Sequence, residues 1–117
     1  MEYGIRITAK AIEDIRKATE YIRKDLLNPV AADNLIDHIT ERINSLATMP
    51  EIHQLAVDPV LHSEGIRYIT IDNYIAFFRI DEESNTVFVL RFQSGKRNWF
   101  DILRGDNTSG QPISSSI

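Results

Sequence analysis

Apolar positions along the chain change period twice, and the changes divide it into elements. Residues 3–8 (YGIRIT) alternate loosely and predict a short first strand. Thr8 is placed to cap a helix, its hydroxyl accepting from a free amide of the first turn. Ile12, Ile15, Ala18, Ile22 and Leu26 recur at three- and four-residue intervals and predict the buried stripe of that helix. Glu13, Arg16, Lys17 and Lys24 are left towards water. Asn28-Pro29 restarts the pattern: asparagine suits an N-cap, and proline at the first helical position gives up an amide hydrogen that has no partner there. Ala32, Leu35, Ile36, Ile39, Ile43 and Leu46 mark one face of a second helix that ends before Met49-Pro50. Two amphipathic helices with a short link make a helical hairpin.

Residues 50–65, with Pro50, Pro59 and Gly65 and no clean period, read as a loop. The period then shortens to that of strands. IRYITI (66–71), YIAFFRI (74–80) and VFVLRF (87–92) are β-branched and aromatic runs. Asp72-Asn73 is a two-residue hairpin turn, since both residue types tolerate positive φ, and DEESN (81–85) is a longer hairpin loop. NWFDIL (98–103) predicts a short terminal helix, and the Gly/Ser/Asn/Pro-rich residues 105–117 predict a disordered tail. The expected fold is α+β: an N-terminal strand, then an antiparallel helical hairpin packed on a small, mostly antiparallel sheet, in the order β-α-α-β-β-β with a short C-terminal helix. One domain should span residues 1–104.

The turn also fixes a register. With Asp72-Asn73 as a two-residue turn, Ile71 faces Tyr74, Tyr68 faces Phe77 and Ile66 faces Arg79. One sheet face then carries Ile66, Tyr68, Thr70, Ile75, Phe77 and Arg79, and the other Arg67, Ile69, Ile71, Tyr74, Ala76 and Phe78. Arg67 and Arg79 point to opposite sides and cannot share a phosphate unless a bulge intervenes. The strands after the turn are apolar on both faces, so helices cover one and something less obvious touches the other.

Composition narrows the class. The 117 residues are 43% hydrophobic and 26% charged, which fits one globular domain and excludes a disordered or fibrous chain. No apolar run approaches the ~20 residues of a membrane span, and MEYGIRITAK has no signal-peptide stretch, so a cytoplasmic protein is expected. Without cysteine there is no disulfide framework, thiol nucleophile or zinc–thiolate site. Net charge is −4, against the basic balance usual for nucleic-acid binders. It is uneven: residues 25–64 hold seven acids and one base, Arg42, whereas the remainder has twelve Lys/Arg and ten Asp/Glu.

Candidate chemistry is sparse. His38, His53 and His62 share no metal-ligand spacing; His38 falls on the polar face of a helix and the other two in the loop. Asp33 and Asp37, one helical turn apart, are the best carboxylate pair for a cation but read more simply as solvated helix charges. No cofactor is implied. Arg91, Lys96, Arg97 and Arg104 surround Gly95 and Trp99, placing cations beside an aromatic plane. Such a group can hold phosphate and stack on a base, or it can close the core with Trp99 and cover its rim with cations.

In this order the phrases AIEDIRKATEYI (11–22), LNPVAADNLIDHITERINSLATMPEI (27–52), GIRYITIDNYIAFFRID (65–81) and VFVLRFQSGKRNWFDIL (87–103) resemble the RelE/ParE superfamily of toxins from type II toxin–antitoxin modules. The resemblance implies a toxin of a plasmid-stabilising or addiction module. Such a toxin arrests growth when free and is neutralised by a cognate antitoxin that wraps an extended or helical segment over it. RelE-like members cleave mRNA in the ribosomal A site, and ParE-like members poison DNA gyrase without hydrolytic chemistry.

Where RelE-like nucleases carry arginine after the aromatic opening the third strand, this chain has Ile75 after Tyr74. Where they carry lysines on the preceding strand, it has Ile66 and Tyr68, and Ser94 stands where many relatives have histidine or tyrosine. Arg97, preceded by Lys96, does match the family's basic motif. The resemblance therefore leans towards a ParE-like target binder, with Arg91, Trp99 and Arg67 as contact residues. The alternative is a metal-independent mRNA endoribonuclease using Arg97 and Lys96 to stabilise the phosphorane, with Tyr74 or Tyr68 as proton donor. A third reading is an attenuated toxin retained as an antitoxin-binding module.

Overall fold

The computed structural model describes residues 2–95, and the terminal helix predicted at 98–103, the tail at 105–117 and Lys96, Arg97, Trp99 and Arg104 lie outside them. Strand β1 (Gly4–Ile7) leads into helix α1 (Ala9–Glu20), a π-turn at Tyr21–Asp25 and helix α2 (Pro29–Asn44). A short helix α3 (Pro59–Ser63) precedes β2 (Ile66–Ile71), β3 (Tyr74–Asp81) and β4 (Thr86–Ser94). The sheet order is β1-β4-β3-β2, with β1 parallel to β4 and the other neighbours antiparallel. Over the described residues this is the predicted order of strands and helical hairpin on a mostly antiparallel sheet, with α3 added.

Local chemistry accounts for the boundaries. The Thr8 hydroxyl accepts from the Ala11 N–H, and the Asn28 side chain from the Ala31 N–H with Pro29 opening α2. Asp72 adopts φ 55°, and the β2–β3 register matches the turn-derived one from Ile66↔Arg79 to Ile71↔Tyr74. Between β3 and β4, Phe77 faces Arg91 but Phe78 faces Val89, so Leu90 is an extra, bulged residue on β4.

The main core lies between the sheet and the helical hairpin. Leu35, Ile39, Ile43 and Leu46 pack on Ile69, Ile71, Phe78, Val87, Val89 and Phe92. Of the expected stripe, Ile15, Ala18 and Ile22 pack against the core, joined by the fully buried Ala11, whereas Ile12 and Leu26 are each 55% exposed. The π-turn, closed by Leu26 N–H to Tyr21 O, inserts a residue and carries Leu26 off the stripe. Ile36 is also exposed, at the margin of α2.

The second correction is α3, which occupies part of the expected loop and contains His62. Asp58 caps it by accepting from the Leu61 N–H, Pro59 opens it, and Gly65 at φ 76° ends the segment in a conformation that favours glycine. Ala56 and Leu61 pack on Ile66 and Phe77, so the chain itself covers part of the sheet's outer face. Among the described residues, no helix is long and apolar enough to cross a membrane.

Candidate functional site

The end of β4 is where the sheet opens towards α1. Pairing of β1 with β4 stops at Ile7↔Val89 because the chain turns into α1, with Thr8 donating its N–H to Val89 O and its hydroxyl to Leu90 O, both at 3.0 Å. Beyond that point Asp14 of α1 replaces a strand. Its carboxylate accepts the Phe92 N–H at 3.0 Å and the Arg91 guanidinium from Nε at 2.8 Å and Nη2 at 3.1 Å. The exposure of Arg91 and Asp14 side chains is only 15% and 11%. A two-pronged guanidinium–carboxylate contact in a sheltered position is stronger and more orienting than a surface pair.

Below this pair is a cleft of about 520 Å³, bordered by Lys17 of α1, Tyr21 of the π-turn, Tyr74 of β3, and Arg91, Gln93 and Ser94 of β4. The Tyr74 ring stacks on Phe92 with centroids 4.8 Å apart and planes 13° from parallel. Burial, then the neighbouring Tyr21 and Asp72, raise the Tyr74 pKa above 10.0, so at neutral pH its phenol keeps its proton. It can donate a hydrogen bond but cannot act as a base. The carboxylate lining the cleft, Asp14, is already engaged by Arg91 and a backbone N–H.

The far wall of the site is tied to the hairpin turn. Gly95 donates its N–H to Asn73 O at 2.8 Å. A Cβ at Gly95 would stand 3.3 Å from that oxygen, a close approach that suits glycine. His38 of α2 meets the other turn residue, with Nδ1 2.8 Å from Asp72 Oδ2. That hydrogen bond and the carboxylate charge raise the His38 pKa above 6.5.

The sequence-predicted residues divide between places. Arg91 and Tyr74 meet at the cleft. Arg67 does not join them: its Nη1 donates to Glu51 O at 3.1 Å and His53 O at 2.6 Å, pinning the segment before α3 to β2. Lys96, Arg97 and Trp99 lie outside the described residues and follow Gly95 in sequence. Tyr68, the other tyrosine weighed as a donor, is on the outer face with its hydroxyl donating to Gln54 Oε1 at 3.0 Å. Ile66, Phe77, Tyr68, Ile75 and Leu90 form one apolar cluster there.

His53 is half-buried, with its ring edge-on to Phe78 and its pKa lowered by burial. Asp33 pairs with Arg23 at 3.4 Å. Among the described residues, no group of His, Cys, Asp or Glu could hold a metal ion. Sequence reasoning missed Asp14. Its signal is positional: an acid between Ala11 and Ala18 on the buried side of an amphipathic helix requires a partner.

Comparison with known proteins gives a consistent answer. The family described as the ParE toxin of the type II toxin–antitoxin system parDE matches residues 5–99. No curated protein sequence matches. Among solved structures, a chain of the chromosomal ParDE toxin–antitoxin system from Pseudomonas aeruginosa superimposes with a TM-score of 0.66 at 20% identity, over 80% of this chain and 96% of that one. A mutant of the Escherichia coli RelE toxin in the free state gives 0.59 at 15% identity, over 92% and 99%. A RelBE-type toxin–antitoxin complex from Mycobacterium tuberculosis gives 0.55 at 22% identity, over 80% and 99%. These likenesses show the shared fold, and the family match spans most of the chain. The chain belongs to the ParE toxin family of type II toxin–antitoxin systems, within the RelE/ParE superfamily.

Proposed function

We propose that this protein is the toxin of a toxin–antitoxin module that inhibits growth when free and is held inactive by a cognate antitoxin. We infer further that it acts by binding a target, with DNA gyrase the first candidate, and not by cutting RNA. The observation that carries this reading is the apolar character of the outer sheet face. Ile66, Tyr68 and Ile75, where RelE-like nucleases carry cations, pack with Phe77 and Leu90. Metal-independent RNA cleavage needs cations on the phosphorane, a base and an acid. Loss of one charge-stabilising donor costs about 2.7–4 kcal/mol in barrier. Here several such groups are replaced together, and Tyr74 lies on the opposite face, stacked on Phe92.

The proposed contact region is the mouth of the α1–β4 cleft, where Arg91 lines the wall and Lys96, Arg97 and Trp99 follow Gly95 in sequence. Similar solved structures of a ParDE toxin–antitoxin system and of a RelBE toxin–antitoxin complex support an antitoxin as partner. In a supercoiling assay with purified gyrase, saturating toxin should abolish supercoiling, and Arg97→Ala should relieve the block. Full supercoiling at saturating toxin would overturn the gyrase assignment. The competing nuclease reading rests on Arg97 and Lys96, and it requires truncated mRNA on induction that Arg97→Ala abolishes. An attenuated toxin would leave growth, supercoiling and mRNA untouched while still binding antitoxin.

A further inference from the structure

A second charged cluster lies on the outer sheet face, away from the cleft. Arg6 of β1 and Arg79 of β3 both pair in register with Phe88 of β4, so the three share one face with the ring in the middle. The Arg79 guanidinium carbon sits 5.7 Å from the centre of the Phe88 ring. Both arginines are exposed, Phe88 is half-buried, and among the described residues neither arginine has a carboxylate partner. Two acids at the end of β3 and just after it are engaged elsewhere. Asp81 accepts from the Glu83 N–H and the Ser84 hydroxyl, and Glu82 accepts from the Tyr3 hydroxyl.

We propose that Arg6 and Arg79, straddling Phe88, form an anion site that receives an extended acidic segment of a protein partner. The Arg79 guanidinium lies over the Phe88 ring and is exposed, and an exposed guanidinium can grip a carboxylate with two parallel bonds. Neighbouring strands are about 4.8 Å apart, so the two arginines are rooted about 10 Å apart and can lean inward over the ring. In an extended chain, side chains two residues apart point the same way at a spacing of about 7 Å. A segment with acids at alternate positions therefore fits the pair. A nucleic acid fits less well, because the Arg79 guanidinium lies over the ring where a base would stack. This site is independent of the target assigned above.

The test uses the full chain with arginine side-chain nitrogens labelled for NMR. The probes are a capped peptide Ser-Glu-Thr-Glu-Ser, its Gln-for-Glu counterpart, and a hexauridylate. The acidic peptide should shift the Nε–Hε signals of Arg6 and Arg79 and the Gln peptide should not. Arg6→Gln with Arg79→Gln should weaken acidic-peptide binding roughly tenfold or more. Arg16→Gln with Lys24→Gln, which removes the same charge from exposed positions of α1 and the π-turn, should change it by only about twofold. Equal shifts with both peptides, equal weakening by both double variants, or tighter binding of hexauridylate would each overturn the proposal.

Discussion

Replacing Asp14 with alanine tests whether one carboxylate substitutes for a strand at the open end of β4. The change leaves the Phe92 N–H without its acceptor, an unmet buried donor worth about 1–3 kcal/mol. It also strips the Arg91 guanidinium of the two-pronged partner that holds it. Breaking a fully buried pair costs about 3–5 kcal/mol, and the residual exposure of 15% and 11% puts this one at the lower end. The two losses share Oδ2 and do not add in full, giving about 3 kcal/mol for Asp14→Ala. Small domains have about 5–15 kcal/mol in total, so the melting temperature should fall by roughly 12–20 °C. Asp14→Asn keeps an oxygen for the Phe92 N–H but loses the charge, and should cost about half as much. Urea unfolding followed by circular dichroism reads both values. A loss below about 1 kcal/mol for Asp14→Ala, or equal losses for the two variants, would refute the reasoning.

Further expectations follow from other contacts. The raised His38 pKa means the His38–Asp72 link contributes fully below the unfolded-state pKa of about 6.5 and is lost as pH rises through the folded-state value. His38→Ala should flatten that part of the stability–pH curve, and an NMR titration should place His38 above an unstructured histidine; a lower value contradicts the pairing. Leu27 sits at φ 52° and is 82% exposed, so Leu27→Asn should relieve left-handed strain and raise stability by about 0.5–1 kcal/mol, read as a higher melting temperature. A clear loss would mean that the leucine makes a contact worth more than the strain. Asn28→Ala should cost about 1 kcal/mol through the lost cap of α2, and an unchanged unfolding midpoint would show that the cap contributes nothing.

The parts of the fold that read correctly from sequence were those set by short-range rules. Asp72-Asn73 leaves a two-residue hairpin one register, so every β2–β3 pair followed from the turn. Thr8 and Asn28-Pro29 announced their helices because capping is chemistry within a few residues. Asp58-Pro59 carries the same message as Asn28-Pro29, but with only five residues behind it no periodic stripe confirmed a helix. The two ends of the α1 stripe depart from the spacing because spacing counts large side chains, while the core here takes the small Ala11 in place of Ile12 and a π-turn carries Leu26 away. The Asp14–Arg91 pair joins residues 77 apart and depends on where β1 stops pairing, which no local pattern encodes. For Arg91, Tyr74 and Arg67 the sequence supplied the residue types, and tertiary structure decided that the first two share a cleft and the third pins a loop.

The most direct test of the proposed action is induction in a bacterial host, with incorporation of labelled methionine and thymidine followed over minutes. A target-binding toxin directed at gyrase should depress thymidine incorporation first, with filamentous cells and a DNA-damage response, while methionine incorporation continues. A prompt fall in methionine incorporation with thymidine sustained would contradict the account and assign the toxin to translation.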